Sequence, residues 1–395
     1  MGARPKVSIV MPVYNGEDYV SEALDSLLSQ TFQDFEIICV DDGSTDTSHL
    51  ILERYRDQNP RISVFKQHNA GVSAARNAGV QHANGDYVMF CDDDDLFANN
   101  MLETMVGLME EHDADICVPN GYNLDMADNA RIIEANYVRS KYLPAKECFS
   151  PQDAGKYLFQ FATFHIYKMY RLSFLRDHSI SFGTQRADED GLFFAHALIE
   201  AGRIVVTTER LFYYRINTGS SVSDGIYKED ILAGYEGMLL LKKLMEESGM
   251  LSDRDFHQSY VNRALAKTID YRKRAKDLRS LGILFETLVN EGGLVNMGLL
   301  GYQAEYYFNQ AHFEELEALE QSEKVEDYLF YLYDKSRNVL KEKTRAVKGL
   351  KKEVSALKRQ NAKQKREYAA LRQSSITVNP RLKRLLRKLR HPLRS

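Results

Sequence analysis

The chain is poor in cysteine. Cys39, Cys91, Cys117 and Cys148 fit neither a disulfide framework nor a zinc-ligand spacing. Two of them sit in apolar, strand-like runs, where a thiol acts as a small hydrophobe, so a reducing compartment is expected. Long apolar runs are also missing. No window approaches the 18 residues of a membrane span, and the N-terminus has no signal-peptide core. Met1-Gly2 invites myristoylation, but Lys6 occupies the place where Ser or Thr is expected. The expectation is a chain neither secreted by a signal peptide nor membrane-spanning. Glycine-rich phosphate loops are absent as well. No G-x-x-x-x-G-K-[ST] occurs, which excludes a P-loop enzyme. Pro12-Val13-Tyr14-Asn15-Gly16 stands where the G-x-G-x-x-G of a dinucleotide domain belongs, which argues against a dehydrogenase.

Hydrophobic residues make up 44% of the 395, enough for a substantial core and room for two domains. The net charge of −4 conceals a polarity. Residues 341–395 hold 19 Lys and Arg against 3 Glu, while the first 340 hold 33 against 53 Asp and Glu. An acidic body carries a basic tail.

The N-terminal pattern alternates. Val7–Met11, Glu36–Val40, Ile62–Phe65 and Tyr87–Phe90 read as buried strands, and the stretches between them read as helices. Such β-α-β-α-β-α-β order with short connections builds a parallel α/β sheet covered on both faces. Ligands bind such sheets at the carboxyl ends of the strands. Three loops should meet there, carrying Asp41/Asp42, Arg76 and Asp92-Asp93-Asp94-Asp95. Four adjacent carboxylates repel one another and call for a cation. Alternation along a strand would put Asp92 and Asp94 on one side, and oxygen ligands favour Mg²⁺ or Mn²⁺ with phosphate. A solvated acidic loop is the other reading of the run taken alone.

Four strings in this order resemble the inverting family 2 glycosyltransferases over roughly residues 6–125: Ser8-Ile9-Val10-Met11-Pro12-Val13-Tyr14-Asn15, Val40-Asp41-Asp42-Gly43-Ser44-Thr45-Asp46, Asn69-Ala70-Gly71-Val72-Ser73-Ala74-Ala75-Arg76-Asn77, and Gly85-Asp86-Tyr87 through Asp95. The resemblance implies a GT-A fold, Rossmann-like and mostly parallel. It implies that Pro12, Val13 and Tyr14 wall the nucleotide base, that Asp42 bonds its edge, and that Arg76 helps hold the nucleotide. Asp92 and Asp94 match the D-x-D aspartates. The second would bind a divalent ion on the diphosphate, and the first or Asp93 would face the ribose or sugar. The family commonly has a small residue at the position of Asp93, which leaves the division among Asp92–Asp95 open by one residue. Asp188-Glu189-Asp190 resembles the family's Glu-Asp element, implying Asp190 as the general base with Glu189 supporting it. Helix capping is the alternative for these carboxylates. Lys168 lies in a segment, Ile166–Arg171, similar to a basic-aromatic one common in the family, and Arg215 in one similar to the strand and loop that close over the diphosphate; either would pair with phosphate, with ordinary surface charge as the alternative. His165 and His196 read as structural rather than metal-ligating.

From about Tyr227 to Leu340 the pattern is helical, with Leu239, Leu240, Leu241 and Leu244 on one stripe. A heptad seam follows, with Leu340, Val347, Val354, Asn361 and Tyr368 at one position and Leu350, Leu357, Gln364 and Leu371 at the other. It reads as a parallel homodimeric coiled coil. After Pro380, seven basic residues from Arg381 to Arg394 flank Leu382, Leu385, Leu386, Leu389 and Leu393. This amphipathic tail reads as an anchor on an anionic membrane surface. It has no interleaved aromatics for nucleic acid.

The expected organisation is a catalytic domain over 1–225 (nucleotide-sugar half 1–125, acceptor half 126–225), a helical region over 226–340, a coiled coil over 341–373 and a basic tail over 374–395. The expected activity is metal-dependent, inverting transfer of a sugar from a nucleotide donor, a UDP-sugar, to a hydroxyl of a cell-surface glycan, teichoic-type polymer or lipid-linked precursor. The expected place is the cytoplasmic face of the membrane. A nucleotidyltransferase and a non-catalytic scaffold are the alternatives. The first lacks its glycine-rich loop, and the second does not account for Asp42, Arg76, Asp94 and Asp190 being present together.

Overall fold

A computed structural model describes residues 4–128, 130–163, 166–184, 188–218, 230–275 and 277–378. The chain divides into two units, Met1–Gln321 and Ser322–Ser395.

The first unit opens with the expected alternation. Strands β1 (Val7–Val13), β2 (Phe35–Asp41), β3 (Ile62–Lys66) and β4 (Tyr87–Phe90) run parallel in the order β3-β2-β1-β4. Helices α1 (Val20–Leu28), α2 (Ser48–Gln58) and α3 (Val72–His82) connect them. Every residue of β1 is buried, as a central strand covered on both faces requires. On α1, Val20, Ala23, Leu24 and Leu27 recur at helical spacing and face the core.

The sheet then becomes mixed. β5 (Leu96–Phe97) and α4 (Met101–Glu111) lead to β6 (Ile116–Asp125), against which β7 (Arg131–Glu134) folds back. β8 (Cys148–Phe149) and the single turn α5 (Pro151–Ala154) follow. β9 (Met169–Arg171) then inserts antiparallel between β4 and β6. Helices α6 (Leu172–Asp177) and α7 (Glu189–Glu200) precede β10 (Ile204–Ile216), which lies parallel to β6. The main order is β3-β2-β1-β4-β9-β6-β10-β5.

The crevice comes from unequal strand lengths. β4 stops at Phe90, the partner of Val10, and the Cys91 N–H closes the ladder on the Val10 carbonyl at 3.0 Å. β1 continues to Val13 with β2 alone. Past Met11 one edge of β1 is open, so Pro12 sits there without forfeiting a ladder bond. A gap at the carboxyl end of adjacent parallel strands is where open α/β sheets take ligands.

Helices α8 (Ala233–Glu247), α9 (Arg254–Arg274), α10 (Leu278–Phe285), α11 (Gly293–Asn296) and α12 (Gln310–Gln321) complete this unit. The buried face of α8 is Gly234, Gly237, Met238, Leu241 and Met245. The expected leucine stripe is therefore displaced, and Leu240 is exposed. α9 is joined to the sheet domain through Ser259. Its Oγ accepts from the Phe159 N–H at 3.0 Å, and its carbonyl accepts from Gln160 Nε2 at 2.9 Å.

The second unit is dominated by α13 (Val325–Val378), one helix of 54 residues. Leu340, Val347, Leu350, Val354 and Leu357 are all exposed along it. The side chains of Asn361, Tyr368 and Leu371 and the tail from Arg381 to Arg394 lie outside the described residues, as do His165, Ser220 and Ser221. Among the described residues no helix is long and apolar enough to cross a membrane.

α3 lies hard against β1 at Gly79, where a Cβ would come 2.3 Å from Val10 Cγ1. Val10 is β-branched and fully buried, so it has little room to move. Gly79→Ala is expected to cost about 1–3 kcal/mol by overpacking, read as a fall in the urea midpoint with unchanged slope.

Candidate active site

The aspartate run forms a turn, not a strand end. Because β4 ends at Phe90, strand alternation does not set the directions of Asp92 and Asp94, and the expectation built on it is corrected. Asp95 is fully buried. Its carboxylate accepts from the Tyr167 hydroxyl and, at 2.6 Å, from the Arg215 N–H. Asp95 thus pins the turn to β10. Asp93 points at the first loop, where a Cβ on Gly16 would come 2.2 Å from its Oδ2. Only glycine lets the loop after β1 approach this closely. The same Oδ2 is buried with no hydrogen-bond partner. Asp92 and Asp94 are half-buried.

Burial, then the charges of Asp94 and Asp92, push the Asp93 and Asp95 carboxyls well above the usual range. Burial and the Asp92 charge push Asp94 up to about 6. These marks belong to a carboxylate set short of positive charge. Among the described residues no three His, Cys, Asp or Glu side chains form a metal-binding group. A hard divalent ion held by one or two of these carboxylates would take its remaining oxygen ligands from phosphate and water. His196 lies on α7, where burial holds its imidazole pKa down, and it joins no such group.

Arg76 is the hinge of the site. It projects from α3 and is only 4% exposed. Nη2 donates to Asp92 Oδ1 at 2.8 Å, and Nη1 donates to Glu189 Oε1 at 3.2 Å. One guanidinium thus joins the aspartate turn to the acidic element nearly a hundred residues later. Aromatic packing keeps these parts in register. Phe182 stacks on Phe193 of α7 at 4.0 Å, and Phe90 meets both rings edge-on at 4.9 and 5.4 Å. Arg76 itself lies 5.3 Å from the Phe182 ring centroid.

The acidic element opens α7, and its three carboxylates take three different positions. Asp188 stands at the N-cap position in a left-handed conformation (φ 58°) and makes no side-chain cap bond there. It is tied to α9 by Lys267, with Arg263 Nη2 3.9 Å from the same oxygen. Glu189 is held by Arg76. Asp190 Oδ1 accepts from the Gly191 N–H at 2.7 Å. Burial, then Glu189 and Asp188, push the Asp190 carboxyl up to about 7, opposed by Arg76 and Lys267. Lys168 is buried, with Nζ 4.2 Å from the Phe194 ring centroid. Burial lowers its pKa to about 7 against the pull of Asp190.

The remaining candidates line the crevice or build it. Pro12 and Val13 are buried at the end of β1, and Tyr14 stands 51% exposed at the mouth. Asp42 shapes the opposite loop. Its Oδ1 accepts from Gln67 Nε2 (2.7 Å) and the Ala70 N–H (2.8 Å), and its Oδ2 from the Gly71 N–H (2.8 Å). Arg215 is committed to structure in this state. It donates to the Asp94 carbonyl and to Glu22, and its guanidinium lies over Tyr19 at 4.7 Å. Sequence reasoning did not single out Tyr167, Glu22, Arg263 or Lys267. Tyr167 stood inside a segment that had been noted. The other three carry no local signal, because their partners are set only by the tertiary fold.

An open α/β sheet whose aspartate turn and second acidic element meet at the strand ends defines the GT-A class of nucleotide-sugar folds. The chain belongs to glycosyl transferase family 2, whose model matches residues 8–178. It is 30% identical over 313 residues to the putative glycosyltransferase EpsH of Bacillus subtilis (76% of this chain, 89% of that one). It is 31% identical over 221 residues to glycosyltransferase GlyA of Streptococcus pneumoniae (54% of this chain). It is 30% identical over 224 residues to the poly(ribitol-phosphate) β-N-acetylglucosaminyltransferase TarS of Staphylococcus aureus (53% of this chain). The match spans only 31% of GlyA and 35% of TarS. The crystal structure of S. aureus TarS 1–349 in complex with UDP-GlcNAc shares the fold, with a TM-score of 0.59 at 21% identity, over 82% of this chain and 89% of that one.

Arg76→Met would leave the half-buried Asp92 and Glu189 without their cation. We expect a loss of about 3 kcal/mol of stability. The loss is read as a fall in the urea midpoint with unchanged slope.

Proposed function

We propose that the chain transfers a sugar from a UDP-sugar donor to a hydroxyl of a cell-surface glycan, a teichoic-type polymer or its lipid-linked precursor, with inversion. The observation that carries this reading is the Arg76 bridge, which brings the aspartate turn and the Glu189-Asp190 element to one crevice. Family membership supports the reaction class. The relative named for poly(ribitol-phosphate), and the TarS structure solved with UDP-GlcNAc, support the acceptor and donor classes.

In this reading Pro12, Val13 and Tyr14 wall the base, and a free lone pair of Asp42 meets its edge. Asp92 and Asp94 would hold Mg²⁺ or Mn²⁺ on the diphosphate, with Asp93 turned to the ribose or sugar. Such an ion supplies Lewis-acid stabilisation of the departing nucleoside diphosphate. Arg215 keeps the turn in place through the Asp94 carbonyl. Arg76 holds Asp92 and Glu189 apart from one another's charge. Asp190 takes the proton of the acceptor hydroxyl. Its raised pKa suits a base working near neutrality, strong enough to accept the proton yet largely ionised above pH 7. The exposed heptad face of α13 pairs two copies, and the basic tail holds them at an anionic membrane on its cytoplasmic side.

The decisive experiment measures binding and turnover of a nucleotide-sugar panel with Mn²⁺, with Mg²⁺ and with EDTA. Metal-dependent use of one UDP-sugar, lost in Asp94→Asn, is the expected result. No nucleotide binding under any condition would sink the transferase. Asp190→Asn should keep donor affinity and lower kcat by about 10²–10⁴. Wild-type kcat/KM should fall on the acid side with a midpoint near 7, because the base is inactive when protonated. Pairing through α13 predicts a dimer by sedimentation velocity. Val347→Lys with Val354→Lys should give monomers, each substitution placing a charge on the apolar seam.

A further inference from the structure

The start of α7 departs from the usual way an aspartate opens a helix. An N-cap aspartate normally sits in extended backbone and accepts the N–H of the second or third helical residue. Asp188 holds the N-cap position at φ 58° and makes no such bond. A left-handed backbone is disfavoured for a residue with a Cβ. The contacts that hold Asp188 there come from α9. Lys267 Nζ contacts Asp188 Oδ1, and Arg263 Nη2 lies 3.9 Å from the same atom. The Asp188 side chain is only 6% exposed, so water does little to screen this pairing.

The N–H that Asp188 leaves has another acceptor. Gly191 is the third residue of α7, and its N–H donates to Asp190 Oδ1 at 2.7 Å. The two carboxylates therefore compete for one donor. Asp188 is close enough to take it, since a Cβ on Gly191 would come 2.6 Å from Asp188 Oδ1. Lys267 cannot simply follow Asp188 if it moves, because α9 is held along its length. Ser259 binds Phe159 and Gln160 of the sheet domain, and Arg272 Nε donates to Glu315 of α12 at 2.7 Å. Tyr271, one turn beyond Lys267, packs on Gly234 of α8, where a Cβ would come 1.8 Å from its ring. Lys267 Nζ lies 5.8 Å from the centroid of that ring.

We infer that Lys267 is a positioning residue for the proposed base: it holds the Asp188 carboxylate, and so leaves the Gly191 N–H to Asp190. The inference rests on the reading of Asp190 as base and adds what sets the direction of its carboxylate. One Asp190 oxygen is anchored on the Gly191 N–H, which leaves the second for the acceptor proton. Without Lys267, Asp188 relaxes into an ordinary cap and takes the Gly191 N–H, and the Asp190 carboxylate turns away.

The test uses the full chain and has a structural and a kinetic arm. In a crystal structure of Lys267→Met, the Asp188 carboxylate should accept the Gly191 N–H with Asp188 φ now negative. Any structure in which Asp190 keeps that N–H would overturn the inference. The kinetic arm follows hydrolysis of UDP-GlcNAc in Mn²⁺, with UDP affinity measured by calorimetry. Lys267→Met should lower kcat at least tenfold and leave UDP affinity within twofold. Lys267→Arg, which keeps the charge, should restore kcat to within threefold of the wild type. Lys267→Met combined with Asp188→Gly should do the same, because glycine keeps the left-handed backbone and brings no competing carboxylate. A parallel fall in UDP affinity, or a double variant as slow as Lys267→Met, would reduce Lys267 to an ordinary structural ion pair. Should Lys267→Met fail to fold, the double variant decides: kcat within threefold of the wild type supports the inference, and a larger loss overturns it. A wild type that binds no UDP would count against the transferase reading instead. The structural arm then judges the tether alone, as it also does if UDP-GlcNAc is not turned over.

Discussion

A single buried guanidinium, Arg76, sets the electrostatics on which the site depends. The turn after β4 packs four carboxylates into a few ångströms, and α7 brings three more to the same crevice. Such a density of negative charge inside a protein is tolerable only where cations are interleaved. Arg76 spans the gap and satisfies one carboxylate from each group. It can do so because α3 lies close on β1, which in turn needs Gly79. The packing of a helix on a strand and the charge balance of the crevice are thus one constraint, expressed at two levels.

The crevice has a similarly plain origin. β1 outruns β4 by three residues, and the unpaired edge that results is tolerated because Pro12 has no N–H to leave unsatisfied. Gly16 then allows the loop to descend onto Asp93. Opposite, Asp42 gathers two backbone amides and a glutamine side chain and so fixes the loop before α3. The walls are built from backbone geometry, and the floor from carboxylates. That division lets the loops vary while the charge pattern stays in place.

Much of the first half was legible in the sequence, because its signals are local. Strand runs, the helical stripe of α1 and the four motif strings each lie within about a dozen residues. Arg76, Asp92 and Glu189 were singled out as candidates, but their direct joining was not foreseen. Strand alternation was the wrong ground for the direction of the aspartates, because the ladder ends at Phe90. The clamp on Asp95 by Tyr167 and the hold on Asp188 by Lys267 were out of reach. Their partners lie 72 and 79 residues away in sequence. Two-residue strands such as β5 and β8 give no periodicity to read. On α8 the buried face runs through small residues, methionines and Leu241, so of the expected leucines only Leu241 marks it.

The cap at Asp188 has a consequence for the boundaries of the smallest working piece. The family match closes at residue 178, before α7 begins. The helix that carries Asp190 is anchored by Lys267, on a segment that the match does not reach. A fragment cut at the edge of the matched region would keep the walls of the crevice and lose both Asp190 and the tether of its helix. The helical region is in this sense a part of the same crevice, fused in the same chain, and a swap of that region between relatives would carry the setting of Asp190 with it.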